Sequence, residues 1–147
     1  MEFARQVAAL PIRRNTDGSL SVLLVTSRQT RRWLIPKGWP WPDREDHVAA
    51  AEEAREEAGV LGLALAESIG SYTYRKGHPA GPIAVRVYVY LLEVREELAS
   101  WPECDQRERA WFKLPDAGTK IDEPELRDLL LQAAERLDFQ SDGLSVR

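Results

Sequence analysis

Cysteine is nearly absent from this chain. Cys104 stands alone among 147 residues, so no internal disulfide can brace the fold. The two histidines, His47 and His78, lie too far apart to give a zinc-ligand spacing. No apolar run approaches membrane length, and the opening MEFARQVAALPIRR returns to charge too soon for a signal peptide or a span. Surplus positive charge is missing too. Lys and Arg total 20 against 24 Asp and Glu, a net charge of −4 with a pI near 5.3. That balance removes bulk attraction to DNA or to an anionic membrane, though it permits a local basic pocket. The expectation is a cytoplasmic protein, monomer or homodimer, whose partner is a small molecule.

What is present suits one soluble domain over 1–147. It is 44% hydrophobic and 30% charged, enough for a real core, and 137–147 reads as a polar, frayed tail. RQVAALPIR (5–13) and SVLLVTSR (21–28) are strand-like and joined by NTDGS, whose Asp-Gly is a turn signal. WLIPKGWPWP (33–42) holds three prolines and a glycine and reads as a stiff loop. Residues 46–58 lack Gly and Pro and stop at Gly59, a helix with a glycine terminator. Ala50, Ala51, Ala54 and Ala58 give that helix a small-residue face that can lie close to a sheet. SIGSYTYR (68–75), the alternating IAVRVYVYLLEV (83–94) and RERAWFKL (107–114) are further strands, with KGHPAGP as a hairpin loop. DEPELRDLLLQAAERL (122–137) has the helical period, and Asp122 and Glu125 stand in capping-box positions. The order predicts an α/β protein: a mixed sheet with helices packed on it.

The helix at 46–58 carries an awkward cluster. Glu52, Glu53, Glu56 and Glu57 fall within six positions, with Arg55 as the only local cation. Residues three and four apart share a helix face, so these like charges repel by a few tenths of a kcal/mol per pair. A solvated acidic face is the ordinary explanation of such a run. The other is a hard divalent cation, since Mg²⁺ binds oxygen ligands from a few carboxylates, waters and substrate phosphates.

The wider stretch GWPWPDREDHVAAAEEAREEAGV, residues 38–60, resembles the Nudix box, G-x5-E-x7-R-E-U-x-E-E-x-G-U with U a bulky aliphatic. Gly38, Glu53, Glu56, Glu57, Gly59 and Val60 match at the right spacing; Ala54 matches U weakly. TSRQTRRWLIPKG before the box and RVYVYLLEV with EELASWPECDQRERAWFKL after it are similar to the diphosphoinositol polyphosphate phosphohydrolase branch of that family. The likeness covers roughly residues 5 to 137. It implies an α/β/α sandwich and a hydrolase of phosphoric anhydrides in diphosphoinositol phosphates or diadenosine polyphosphates. By motif position, Glu53, Glu56 and Glu57 would bind Mg²⁺ (or Mn²⁺) and carry the catalysis, with the Gly38 carbonyl as a further ligand.

Two positions depart together. Arg44 stands where the family has glutamate, and Glu52 where it has arginine. In the family these two side chains are expected to pair and to orient the neighbouring glutamate. An Arg44–Glu52 pair with exchanged signs preserves that link; the alternative is Glu52 held by Arg55 and Arg44 in solvent. Arg28, Arg32, Lys37 and Arg86 form the expected phosphate clamp, with Arg75, Lys76 and His78 on a nearby loop. Trp39 and Trp41 serve as base-stacking or packing residues, and Glu96, Glu97 and Glu103 as candidates for an extra metal ligand. The rival reading is a Nudix module that binds a nucleotide or polyphosphate without cleaving it, which the altered pair favours and the intact glutamates oppose.

Overall fold

The computed structural model describes residues 3–139. Strands β1 (Ala4–Arg14) and β2 (Leu20–Thr26) form an antiparallel pair with Ile12 opposite Val22. The Asp17 carboxylate fixes their turn by accepting from the Ser19 backbone N–H at 2.9 Å and its hydroxyl at 2.6 Å. The long strand β7 (Ile83–Glu97) runs parallel to β1, from Ala4 beside Val85 to Ile12 beside Glu93. Its other edge is shared: β6 (Gly70–Lys76) takes the first half and β5 (Val60–Ala64) the second. β1 divides its outer edge in the same way between β2 and the two-residue β4 (Lys37–Gly38). β2 also pairs with β3 (Trp33–Leu34) and β8 (Arg109–Lys113). One parallel pair among antiparallel ones makes the sheet mixed, as expected.

Strand alternation sorts the side chains onto two faces. Ala8, Leu10 and Ile12 of β1, with Val85, Val87, Val89 and Leu91 of β7, meet Leu126, Leu130 and Ala133 of helix α3 (Pro124–Phe139). Val7 and Ala9, with Tyr90 and Leu92, meet Ala50, Ala54 and Ala58 of helix α1 (Asp46–Ala58). The alanine face brings α1 close against the sheet, and the molecule is an α/β/α sandwich. Among the described residues no helix is long and apolar enough to cross a membrane.

Several sequence expectations need correction. The stretch 33–42 contributes the short strands β3 and β4 instead of being loop throughout. β5 was not foreseen, because VLGLA has no alternation and holds a glycine. Gly62 sits at a bulge against β7, where a Cβ would come within 2.8 Å of the Glu93 carbonyl carbon. The short helix α2 (Leu114–Ala117) takes over where a strand was expected to end. The capping box does not form as read: the Glu125 carboxylate accepts from the Thr73 N–H at 2.9 Å and hydroxyl at 2.7 Å, tying α3 to the edge strand β6. α3 continues to Phe139, so 137–139 are helix and not part of the expected tail, and 140–147 lie outside the described residues.

The C-terminal end of α1 is closed by a distant segment. Gly59 takes the left-handed conformation at φ 67°. Arg109 donates to the carbonyls of Ala58 at 2.9 Å, Gly59 at 3.2 Å and Leu98 at 2.8 Å, and stacks on Trp101 at 3.9 Å. Trp101 donates to the Glu57 carbonyl at 3.1 Å, and the Glu103 N–H to that of Glu56 at 3.1 Å. Stranded carbonyls cost about 1–3 kcal/mol each, so Arg109→Leu should destabilise the fold by about 2–4 kcal/mol. Urea unfolding followed by tryptophan fluorescence measures this, and a loss below about 0.5 kcal/mol would show that the helix end does not need the anchor.

Candidate active site

α1 carries Glu53, Glu56 and Glu57 toward β4, and Glu57 goes deepest. It is 5% exposed. Its Oε1 accepts the Lys37 backbone N–H at 3.3 Å, and the Arg107 guanidinium stands 3.9 Å away. The Glu53 carboxyl lies near that of Glu57 and the Trp41 side chain, close enough for both to act on its titration. Burial pushes the Glu57 pKa up to about 8, opposed by Arg107 and reinforced by Glu53. Burial raises Glu53 as well, with the charges of Glu56 and Glu103 adding to it. Both shifts favour the protonated acid, so this pair of carboxyls resists ionising together when no cation is bound.

Gly38 is required by this packing. A Cβ there would stand 2.6 Å from Glu53 Oε2, so a side chain at 38 would evict the carboxylate. The donor set is all oxygen: Glu53 and Glu57 in contact, Glu56 and Glu103 close enough to shift Glu53. That chemistry fits a hard divalent cation. Among the described residues no three Asp, Glu, His or Cys side chains form a ready-made cage. The remaining positions would fall to waters, backbone and substrate oxygens, as Mg²⁺ commonly arranges.

Arg107 is a part of the site that sequence reasoning missed. It lies in a run read only as strand, and nothing in its spacing marks it. The guanidinium donates to Glu103 at 2.7 Å and to the Thr26 carbonyl at 3.1 Å while facing Glu57. Of the extra-ligand candidates, the structure brings Glu103 near the glutamates. Glu97 is elsewhere, accepting from Trp111 at 3.1 Å beside Arg13, and Glu96 sits opposite Leu61 in β5. Trp41 reaches Glu53, whereas Trp39 is 47% exposed.

Lys37 and Arg107, the neighbours of Glu57, also line a cleft of about 780 Å³ whose lining includes none of the three glutamates. Arg28, Arg32, Lys37, Arg75, Lys76 and Arg107 line it against a single acid, Glu123, with Tyr72, Tyr74, Leu34 and Leu126 in its walls. Arg28 reaches Gln106 at 3.5 Å and Arg32 reaches Thr30 at 3.3 Å. The Lys37 ammonium lies 4.9 Å over the Tyr74 ring, and burial lowers its pKa. Arg86, the fourth expected clamp residue, does not line the cleft. It occupies the β7 register beside Arg5, with its guanidinium 4.7 Å over the Phe3 ring.

The exchanged pair also needs correction. Glu52 accepts from Arg55 Nε at 2.7 Å, one turn along the helix, while the Arg44 guanidinium stacks over Trp41 at 5.1 Å. Among the described residues no ion pair joins Arg44 to Glu52. The local i,i+3 partner wins because it needs no loop ordering.

Fold and site together define a class: a layered α/β domain in which a glutamate-bearing helix meets a glycine strand end beside a cationic cleft. The chain belongs to the Nudix family, whose domain model, NUDIX domain, matches residues 3–133. It is 36% identical over 108 residues to Nudix hydrolase 13, mitochondrial, of Arabidopsis thaliana, covering 69% of this chain and 53% of that protein. It is 34% identical to human diphosphoinositol polyphosphate phosphohydrolase 3-beta over 117 residues, 78% of this chain and 67% of that one. The chain thus spans about half to two thirds of these curated relatives. The solved Ap4A hydrolase of C. elegans, in its binary complex, shares the fold at TM-score 0.69 and 21% identity, over 92% of this chain and 98% of that one.

Two tests follow from this geometry. The folded-state pKa of Glu57, about 8, lies above the ordinary 4.5, so between those values the folded chain keeps a proton that the unfolded chain has lost. Stability from this group is complete below about pH 4.5 and falls as pH rises through 8. Urea unfolding in chelator should show that decline, Glu57→Gln should flatten it, and added Mg²⁺ should restore stability at high pH. A pH-independent parent would remove the buried-acid reading. Separately, Arg44→Glu and Glu52→Arg should be additive in stability to within about 0.5 kcal/mol; a larger coupling in the double-mutant cycle would mean that the two residues do meet.

Proposed function

We propose that this chain is a metal-dependent pyrophosphohydrolase that cleaves phosphoric anhydride bonds in small, densely phosphorylated molecules. Diadenosine polyphosphates and diphosphoinositol phosphates are the favoured substrates. The observation that carries the reading is the cleft: six cations against one acid, Lys37 and Arg107 among them as neighbours of Glu57, in a chain of net charge −4. The relatives named as diphosphoinositol polyphosphate phosphohydrolases support it.

Glu53, Glu56 and Glu57, with the Gly38 carbonyl, would hold Mg²⁺, for which Mn²⁺ can substitute. A divalent ion there supplies positive charge to the phosphate oxygens and acidifies the attacking water. The protein's own groups do the rest. The Lys37 N–H and Arg107 hold the Glu57 carboxylate in place, and the bare backbone of Gly38 leaves the slot that the Glu53 carboxylate fills, near Trp41. One of the three glutamates takes the proton from water as the water oxygen bonds to phosphorus, and the bridging P–O bond of the anhydride breaks with its electron pair leaving on the departing phosphate. Arg28, Arg32 and Lys37 bind the outer phosphates and disperse charge in the transition state. Arg86 stands outside this cleft, over the Phe3 ring.

The second reading is a module that binds the same ligands without cleaving them. It is favoured by Glu52, which puts a negative residue beside Glu53 where the family has a cation. A panel of diadenosine polyphosphates, inositol pyrophosphates, nucleotide sugars and ADP-ribose, with and without Mg²⁺, separates the two. Metal-dependent turnover of the highly phosphorylated members is expected, weakening as salt rises because exposed charges are screened over about 8 Å. Glu56→Gln and Glu57→Gln should lower kcat/KM about 100-fold or more. Preference for ADP-ribose would reject the substrate class, and unaltered turnover by both variants at limiting Mg²⁺ would reject the glutamate assignment.

A further inference from the structure

The cations of the cleft are not equally available to a ligand. Arg107 is committed to Glu103 and the Thr26 carbonyl, Arg28 reaches Gln106, and Arg32 reaches Thr30. Lys37 is different. Among the described residues no hydrogen bond or ion pair engages its ammonium, which rests on the face of Tyr74 at 4.9 Å. A ring face attracts a cation without consuming its N–H donors. The ring itself is held: the Tyr74 hydroxyl donates to Gln6 Oε1 at 2.7 Å, and Gln6 is 4% exposed on β1. The link from Gln6 on β1 to Tyr74 on β6 thus spans β7, and Lys37 on β4 brings it back to the β1 side. The Lys37 backbone N–H meanwhile holds Glu57 at 3.3 Å, so this ammonium stands at the boundary between the glutamates and the cleft.

We propose that Tyr74, locked by Gln6, is a positioning residue that holds the Lys37 ammonium with its donors free for the phosphate nearest the glutamates. This rests on the cleft being a polyphosphate site. It carries a consequence for specificity: the Tyr74 face is occupied by a cation and is closed to a nucleobase, so recognition on this wall reads phosphate alone. The tyrosine ring replaces a carboxylate partner, which would have neutralised the lysine and competed with the ligand.

Binding of tripolyphosphate without divalent cations, followed by calorimetry, tests this apart from catalysis. Tyr74→Leu should weaken binding about 5- to 30-fold, the size of a desolvated cation–π contact, while Tyr74→Phe, which keeps the ring but loses the bond to Gln6, should recover part of it, to the level of Gln6→Leu. Lys37→Met should weaken binding at least as much, and adding Tyr74→Leu to it should cost nothing further. Gln6→Leu, which frees the ring but leaves it in place, should give an intermediate loss and serves if Tyr74→Leu does not fold. The Lys37 ε-methylene protons should show a ring-current shift in the parent and in Tyr74→Phe that is gone in Tyr74→Leu. No tripolyphosphate binding by the parent, no ring-current shift in it, or losses that add in the double variant would overturn the proposal. Binding with these couplings but no turnover of any substrate would leave it standing and remove the proposed activity instead.

Discussion

A carboxyl group driven into the protein interior, that of Glu57, is the constraint around which this site is organised. Burying an ionised acid is costly unless charge and hydrogen bonds replace the lost water. The replacements come from two parts of the chain, the Lys37 N–H from β4 and Arg107 from the segment before β8, while Glu53 on the same helix adds to the cost. None fully compensates, and the residual cost appears as a pKa near 8. A site that holds a proton where two carboxyls meet is one that a divalent cation can take over, exchanging one positive charge for another.

The segment that follows β7 has a double role. It satisfies the carbonyls at the end of α1, through Glu103, Trp101 and Arg109. In doing so it delivers Glu103 and Arg107 to the glutamates. Closing a helix end and building a charged site are therefore one structural event, and a change in either is felt by the other. Gly59 makes the closure possible, since a Cβ there would come within 2.6 Å of the Trp101 ring.

What was legible in the sequence was local. The 13-residue helix α1 and its glycine stop follow from spacing alone. The amphipathic stripe of α3 and the alternation of β7 are equally direct. What escaped depends on contacts between distant residues. β5 is a strand because β7 offers it an edge, not because VLGLA favours one. Arg86 alternates correctly along β7, but no local pattern says where the cleft ends. Arg107 looked like any strand arginine until a loop folded it against Glu57.

The departure at 44 and 52 shows how a motif can change its letters and keep a geometric requirement. The family likeness implies an arginine that orients the neighbouring glutamate, and here that position is Glu52, turned to Arg55. Glu53 is nonetheless constrained on two sides. The Trp41 side chain lies near its carboxyl, and the bare backbone of Gly38 leaves a slot that the carboxylate fills. A neutral indole leaves the charge of a neighbouring carboxylate uncancelled, whereas an arginine would pair with it. Arg44 stacks on the same tryptophan, so the neighbours of Glu53 on this side come from the loop, while Glu52 is engaged by Arg55.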